Sequence, residues 1–362
     1  MHQALVLVVV LGGCVAVADD EVVDLDLTTQ QAASCPKWLC GSNDPRVTSS
    51  IAGLSQFHEL NKTGIANKEG MTVLGLDVPA APGRAAGTYN VDVTGAKLYG
   101  KKSGLSTLSG AGLVGTSILV KWAGRTNKLK IIAVGTTKLW PDTGATAETY
   151  RIDQRDQDET DDSVPWTNLC SMAESLPPDD GGMGGPLLGM NKWSVVLYEG
   201  ERVDSVSKVI SAGSTDWFNI GCAGHVLAKT FLTRHTWASQ GGGYTNTRDQ
   251  RQAMLRMYVA DYCGDGTPFT QSGEPLGWVD DKNWFSYLFL TPKLEARWGP
   301  NGATCLEVPR MAETDTAGKA FFPDIEAAIA KRCKRPPTCT AKDGSVDPTK
   351  FFGTHIVSAN PP

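Results

Sequence analysis

The residues best able to do chemistry in this sequence lie close together between positions 222 and 278. Five side chains there are candidates for a nucleophile, an acid or a base, namely Cys263, Asp261, Asp265, His225 and His235. Nucleophilic catalysis needs a thiolate or carboxylate within hydrogen-bond reach of its partner base. The spacing therefore raises one enzymatic hypothesis, a secreted hydrolase that uses the loop around Cys263 with a nearby histidine.

The same residue types also have structural explanations. Asp265 lies in a Gly-Asp-Gly turn, where its carboxylate would accept hydrogen bonds from backbone N–H groups. Asp261 would pair with a basic side chain such as Arg251 or Arg256. Cys263 belongs to an even set of cysteines, which would leave no free thiol. We favour these structural roles, and we expect no metal ion and no cofactor.

Cysteine usage predicts a disulfide framework. Apart from Cys14, the cysteines are Cys35, Cys40, Cys170, Cys222, Cys263, Cys305, Cys333 and Cys339. An even number in an exported chain favours disulfides, whereas the spacings do not match those of zinc sites. The sequence alone does not fix the pairing. We take Cys35–Cys40, Cys170–Cys222, Cys263–Cys305 and Cys333–Cys339 as working assignments.

The first 18 residues predict export. Leu5–Leu11 is an unbroken apolar run that is too short to span a bilayer but suits the core of a signal peptide. Cys14 follows Leu-Gly-Gly, as in a bacterial lipobox, so acylation of Cys14 would leave a lipid-anchored envelope protein. Cleavage after Ala18, giving an extracellular protein, is the alternative. Residues 19–34 are acidic and polar and read as a flexible tether.

Composition excludes some partners. The net charge of −5 and the pI near 5.6 differ from the basic charge that is typical of nucleic-acid-binding proteins. No later apolar run reaches the roughly 20 residues of a transmembrane helix, so we expect membrane contact only through the N-terminal anchor.

We predict an α+β fold in two regions. Residues 35–215 form a β-rich region, a sheet or a sandwich, because short β-branched segments alternate there with turns. Residues 216–340 form a disulfide-linked helical region, and residues 341–362 are a C-terminal tail. The predicted strands are Met71–Leu76, Tyr89–Val93, Ser117–Trp122, Leu129–Val134, Trp193–Tyr198 and Trp217–Ile220.

Three segments have the pattern of helices. The first runs from about Cys222 to Arg234, and the second begins at Thr247, where Thr-Arg-Asp-Gln fits a capping box. Gly264 would be the C-cap of the second helix. The third helix runs from Ile325 to Cys333.

The segment Ala260–Gly266, with the sequence ADYCGDG, resembles the ADYC-domain proteins, a family of exported bacterial proteins of uncharacterised function. Trp166–Cys170 and Trp298–Leu306 are similar to later motifs of that family, and Phe57–Asn61 is similar to an N-terminal one. Members of the family often have a further cysteine in each helix, where this chain has Thr230 and Met254. The resemblance therefore implies an antiparallel pair of helices in contact at these two positions.

The preferred function is a non-enzymatic binding or structural module of the cell envelope. Its partner would be an unknown ligand, a glycan or another envelope protein. The glycine-rich loop Gly181–Gly185 and exposed tryptophans are candidate contacts. Phe57–Asn61, which contains His58 and Glu59, is interpreted as a polar surface loop without acid–base chemistry.

Overall fold

A computed structural model describes residues 42–43, 50–51, 55–139, 145–156, 165–170, 194–223, 225–236, 247–270, 274–275, 277–279, 293–310, 324–339 and 356–360. The strands of this described part are, in chain order, β1 (Ser42–Asn43), β2 (Ser50–Ile51), β3 (Ser55–Gln56), β4 (Leu60–Asn61), β5 (Thr72–Val78), β6 (Gly87–Thr94), β7 (Lys97–Lys101), β8 (Leu108–Ser109), β9 (Ser117–Trp122), β10 (Arg125–Lys138), β11 (Thr146–Asp156), β12 (Thr167–Asn168), β13 (Ser194–Glu199), β14 (Arg202–Val203), β15 (Ile210–Ser211), β16 (Trp217–Cys222), β17 (Glu274–Pro275), β18 (Gly277–Val279), β19 (Lys293–Gly299), β20 (Gly302–Leu306) and β21 (Ile356–Asn360). The helices there are α1 (Val226–Leu232), α2 (Arg248–Val259) and α3 (Ile325–Arg332), with a 3₁₀ turn at Gly110–Leu113.

One antiparallel sheet of 11 strands dominates the described structure. Its order is β4-β16-β13-β11-β10-β9-β5-β6-β7-β8, and β12 pairs with β11. A second antiparallel sheet has the order β18-β21-β19-β20. Three two-stranded ribbons join β1 to β17, β2 to β3, and β14 to β15.

The large sheet curls until strands from its two halves meet. The backbone N–H of Leu98, on β7, donates to the hydroxyl of Tyr150, on β11, over 2.9 Å. The N–H of Glu199, at the end of β13, donates to the carbonyl of Gly95 over 3.2 Å. Because β7 and β13 are far apart in the strand order, these bonds require the sheet to wrap around its own apolar core.

Strand β13 separates two hydrophobic cores. Val195 and Leu197 point into the core inside the curled sheet, whereas Val196 and Tyr198 point into a second core on the other face. This alternation follows from the two-residue period of a strand, and burial on both faces explains why all six residues of β13 are buried.

The helices lie in the second core, between the two sheets. Helix α1 packs on β13 and β16, and α2 packs on α1 and on β19, β20 and β21. Ala296, Trp298 and Leu306 contribute the side chains of the smaller sheet to this core.

The predicted α+β class with a separate helical region is wrong. The described chain is mostly β, and the stretch predicted to be helical contains β16 to β20 and only three short helices among its described residues. Helices α1 and α2 do pack against each other. Thr233, the C-cap residue of α1, has its Oγ1 3.2 Å from the hydroxyl of Tyr258 on α2. They form a layer between sheets instead of an independent pair. Thr230 and Met254 are both buried in this layer.

Local signals predicted the ends of α2 in part. Thr247 accepts from the N–H of Gln250 and the Gln250 side chain accepts from the N–H of Thr247, so the capping box is confirmed. Gly264 is not the C-cap, because the helix ends at Val259 and Ala260 takes the left-handed cap conformation with φ of 52°.

The interpretation of Phe57–Asn61 as a surface loop is wrong. All five residues are buried, and β4 begins within the segment. The N–H of Glu59 donates to Asn219 Oδ1 over 3.0 Å, and Arg202 lies 3.5 Å from the Glu59 carboxylate. The backbone N–H and the carboxylate of Glu59 therefore have partners inside the fold, at the edge of the large sheet.

Three disulfides are present in the described chain. Cys170–Cys222 is confirmed, with Cα atoms 5.6 Å apart. The assignments Cys263–Cys305 and Cys333–Cys339 are wrong, because the bridges are Cys263–Cys333 and Cys305–Cys339. Cys14, Cys35 and Cys40 lie outside the described residues. Such bridges are typical of an oxidising, non-cytoplasmic environment. None of the described helices is long and apolar enough to cross a bilayer.

Candidate functional site

Asp261, a candidate catalytic carboxylate, is buried and used by the fold. It pairs with the Arg256 guanidinium and accepts backbone hydrogen bonds from Gly266 over 2.8 Å and from Asp265 over 3.2 Å. Burial raises the pKa of Asp261, and the positive charge of Arg256 offsets part of this rise. Arg256 also donates to the carbonyl of Ser207 over 2.7 Å. Asp261 thus fixes the turn after α2 and joins it to the β14–β15 ribbon.

Tyr262 is the centre of a second buried network. Its hydroxyl donates to Glu295 Oε1 over 2.7 Å and accepts from the N–H of Arg310 over 2.8 Å. Arg310 pairs with Glu295 over 3.0 Å and donates to the carbonyl of Met257 over 2.9 Å. One arginine therefore binds both the carbonyls at the end of α2 and the Glu295 carboxylate on β19. Burial raises the pKa of Tyr262 well above its ordinary value.

Cys263 and Asp265 also have structural partners. Cys263 is bonded to Cys333. Asp265 Oδ1 accepts from the N–H of Thr267 over 2.9 Å, and Asp265 Oδ2 lies 2.8 Å from Arg332. Partial burial opposes ionisation of Asp265, but these hydrogen bonds outweigh it and lower the pKa. The expected role of Asp265 as a turn-capping residue is borne out by these contacts.

Glycines let the turn approach the β19–β20 hairpin closely. Gly264 has a φ of 70°, and a Cβ there would lie 2.0 Å from the carbonyl oxygen of Asn301. Gly302 has a φ of 106°, and its Cβ would lie 2.7 Å from the carbonyl oxygen of Tyr262. The ADYCGDG segment is therefore a junction where a helix, a hairpin and a disulfide meet.

The two candidate histidines lie at the ends of α1. His225 is the buried N-cap residue of α1, and His235 lies just beyond its end with Nδ1 3.2 Å from Thr233 Oγ1. Glu201 is a buried carboxylate that pairs with Arg251. Burial raises the pKa of Glu201, and Arg251 offsets part of that effect. The fold thus joins Asp261, Cys263 and Asp265 in one turn, while the ring of His235 lies beside Thr233 at the end of α1.

A better candidate site lies where the large sheet closes. We call it the seam cleft, an open cleft of about 730 Å³ bordered by β5, β6, β7 and the turn after β4. Its polar lining residues are Lys62, Thr63, Asn90, Asp92, Thr94, Lys101, Glu199, Thr215 and Asp216.

Lys62 organises the charges of the seam cleft. Its ammonium donates to Asp92 Oδ1 over 2.9 Å, to Glu199 Oε2 over 3.2 Å, and to the carbonyl of Val93. Lys101 provides a second cation for Asp92. Burial opposes ionisation of Asp92, but the hydrogen bonds from Lys101 and Lys62 outweigh it and lower the pKa of Asp92. Asp92 therefore stays charged, and most of the charges in the cleft are already paired.

One wall of the seam cleft is apolar and closely packed. Leu74 is 46 % exposed and faces the cleft from β5, next to Gly75. A Cβ on Gly75 would lie 2.9 Å from the carbonyl oxygen of Tyr89, so no other residue fits between β5 and β6 at this point. The cleft therefore offers hydroxyl, amide and paired charged groups beside an aliphatic surface. Such a lining suits binding of a polar small molecule.

Sequence reasoning missed the seam cleft. Lys62 and Asp92 are 30 residues apart, and Lys62 and Glu199 are 137 residues apart. The one local signal is that Lys62 directly follows the buried segment Phe57–Asn61. The predicted contact loop Gly181–Gly185 lies outside the described residues.

The fold and its buried turn define a mostly antiparallel β protein with a helical layer and a cysteine-linked junction. The sequence profile of the ADYC domain matches residues 110–312, more than half of the chain, so the chain belongs to the ADYC domain family. No curated protein and no solved structure matches it.

Proposed function

We propose that this chain is an exported binding module, stabilised by disulfides, whose ligand occupies the seam cleft without being chemically changed. The observation that carries the proposal is the cleft itself, an open site of about 730 Å³ with a mainly polar lining. Its volume falls in the range of small-molecule sites, roughly 300 to 1,000 Å³.

The charge arrangement favours an uncharged ligand rich in hydroxyl groups, of the size of a small saccharide. Lys62 and Lys101 already neutralise Asp92 and Glu199, so a charged ligand would have to compete with existing ion pairs. A neutral hydroxylated ligand would instead hydrogen-bond to the polar groups at the surface of the cleft. Its C–H face would lie on Leu74.

Export and lipid anchoring form the second part of the proposal. The three disulfides support an oxidising compartment. Acylation of Cys14 would hold the protein at the cell envelope, and residues 19–34 would separate the folded part from the membrane. The lipid anchor is tested by the Cys14→Ala variant, which should move from the membrane fraction to the soluble fraction. Retention of this variant in the membrane fraction would contradict the anchor.

A secreted hydrolase that uses the turn Ala260–Gly266, which we call the ADYC turn, is the less favoured function. Asp261 is buried and paired with Arg256, and Cys263 is held in a disulfide. Both groups would have to leave stabilising contacts before acting on a substrate.

Ligand binding is tested by titrating the mature protein with a panel of oligosaccharides and, for comparison, with amino acids and short peptides. Leu74→Arg should fill the seam cleft and weaken binding of the best ligand at least about tenfold, an energetic loss of about 1.4 kcal/mol. Leu105→Arg is the matched control, because Leu105 is 42 % exposed and does not line the cleft. Equal binding by both variants, or binding of charged peptides alone, would overturn the proposal.

A further inference from the structure

The three described disulfides differ in the solvent exposure of their cysteine residues. Cys170 and Cys222 are 1 % and 0 % exposed. Cys305 is buried, so its bridge can be approached only from Cys339. Cys263 and Cys333 are both partly exposed. Because thiol–disulfide exchange requires direct attack on sulfur, Cys170–Cys222 is the least accessible bridge, and Cys263–Cys333 is the only described bridge with both cysteines partly exposed.

This bridge also lies in a cleft large enough for a small molecule. The cleft has a volume of about 430 Å³, and both cysteines line it together with Tyr262, Asn301 and Lys334. We call it the bridge cleft. It is formed where the ADYC turn, the β19–β20 hairpin and the end of α3 meet, and it is separate in sequence and lining from the seam cleft.

The bridge cleft has an excess positive charge. Arg332 is paired with Asp265, and Arg335 is paired with Glu326. Lys334 is exposed and lines the cleft, and no ion pair or hydrogen bond of its side chain is found within the described residues. A positive group near a disulfide favours approach of a thiolate and stabilises the thiolate that leaves.

We propose that Cys263–Cys333 is a thiol-exchange site that an anionic low-molecular-weight thiol opens in the folded protein. In the first step the sulfur of the incoming thiolate bonds to one cysteine sulfur, the S–S bond breaks, and the other cysteine leaves as a thiolate that takes up a proton. A second thiol then attacks the mixed disulfide and is released as the oxidised dimer of the reagent. Two cysteine thiols remain, and two electrons have passed from the reagent to the protein.

The surrounding contacts allow the bridge to open without global unfolding. Helix α3 is also held by the buried side chains of Ile325 and Ile329. The chain beyond it is tied to β20 by Cys305–Cys339. On the other side, Asp261 and Tyr262 keep their networks when Cys263 is released. Opening therefore loosens the contact between α3 and the ADYC turn and leaves both sheets intact.

The test is graded reduction of the mature protein under native conditions, followed by alkylation and mass mapping of the labelled cysteines. Glutathione should label Cys263 and Cys333 at concentrations at which Cys170 and Cys222 remain unlabelled, while the far-UV circular dichroism stays unchanged. Earlier or simultaneous labelling at another bridge, or labelling only when the protein unfolds, would overturn the proposal.

A charge variant tests the role of the cleft independently of folding. Lys334→Gln should slow opening by glutathione several-fold and leave opening by the uncharged thiol 2-mercaptoethanol almost unchanged. Lys331→Gln is the matched control, because Lys331 is exposed near the end of the same helix but does not line the bridge cleft. Equal slowing by both substitutions, or no slowing by Lys334→Gln, would show that the bridge cleft does not recognise the anionic thiol.

Discussion

The ammonium of Lys62 lies 2.9 Å from Oδ1 of Asp92, although the two residues belong to opposite halves of the strand order of the large sheet. Lys62 follows β4 at one end of the order, and Asp92 is on β6 near the other end. The ion pair therefore closes the curled sheet, and Glu199 completes it from β13. An edge of a sheet that is covered in this way is protected from pairing with other chains.

The first prediction concerns Lys62. The Lys62→Met variant leaves Asp92 and Glu199 without their shared cation, so the free energy of unfolding should fall by about 3 kcal/mol. Lys68→Met is the control, because Lys68 is 62 % exposed and its pair with Asp204 lies at the surface. It should change stability by less than about 0.5 kcal/mol. Urea denaturation measures both, and similar losses would show that Lys62 does not hold the seam.

The second prediction concerns the acid side of the stability curve. The pKa of Asp92 in the folded protein lies below its ordinary value of 3.8. A carboxyl group with a lowered folded pKa stabilises the fold fully above its unfolded pKa, and this stabilisation is lost as the pH falls through the folded pKa. The stability difference between the wild type and Asp92→Asn should therefore be constant near neutral pH and shrink below about pH 4. A difference that does not change with pH would contradict the assignment.

The third prediction concerns the close approach at Gly264. Gly264→Ala should destabilise the protein by about 3 kcal/mol or more, because the new Cβ would overlap the carbonyl of Asn301. Gly83→Ala is the matched control, since Gly83 has a similar φ of 73° but no atom near the position of a Cβ. Its cost should be that of the backbone conformation alone, about 1 kcal/mol. Thermal unfolding of the two variants separates the steric effect from the conformational one.

The fourth prediction concerns the buried pair of Arg310 and Glu295. Arg310→Met leaves a buried carboxylate without its cation and should cost about 3 to 5 kcal/mol. Adding Glu295→Gln to the same chain should recover part of this loss, because the amide is uncharged and can still accept from Tyr262. A double variant less stable than Arg310→Met would show that the carboxylate is not the source of the loss.

Local patterns predicted six of the strands, missed others such as β7 and β11, and predicted the fold class wrongly. Ser117–Trp122 was predicted with the observed bounds, because its β-branched run carries its own signal. The hairpin of β19 and β20 was not among the predicted strands, although it forms part of a sheet. Its pairing with β21 joins segments far apart in sequence, which no local pattern reveals. For this reason, residues 216–340 were predicted to contain more helix than the described structure has.

The same limit applies to the site residues. The partners of Asp261 and Asp265 could be predicted from the sequence, because Arg256 and Thr267 are close to them in the chain. The cysteines were paired with neighbours in sequence, whereas Cys263 and Cys333 are 70 residues apart. Which cysteines form a disulfide depends on the tertiary fold, because the fold decides which of them lie close together in space.

The strand order sets the smallest part of this chain that can fold alone. The ADYC domain match begins at residue 110, yet β9 pairs with β5, and β16 pairs with β4, both of which come earlier in the chain. A fragment limited to residues 110–312 would expose two open sheet edges, lose Lys62 and Asp92, and lack the Cys333 and Cys339 halves of two bridges. The stretch shared by the family is thus one segment of a larger cooperative unit, and a truncation that follows its borders would divide that unit.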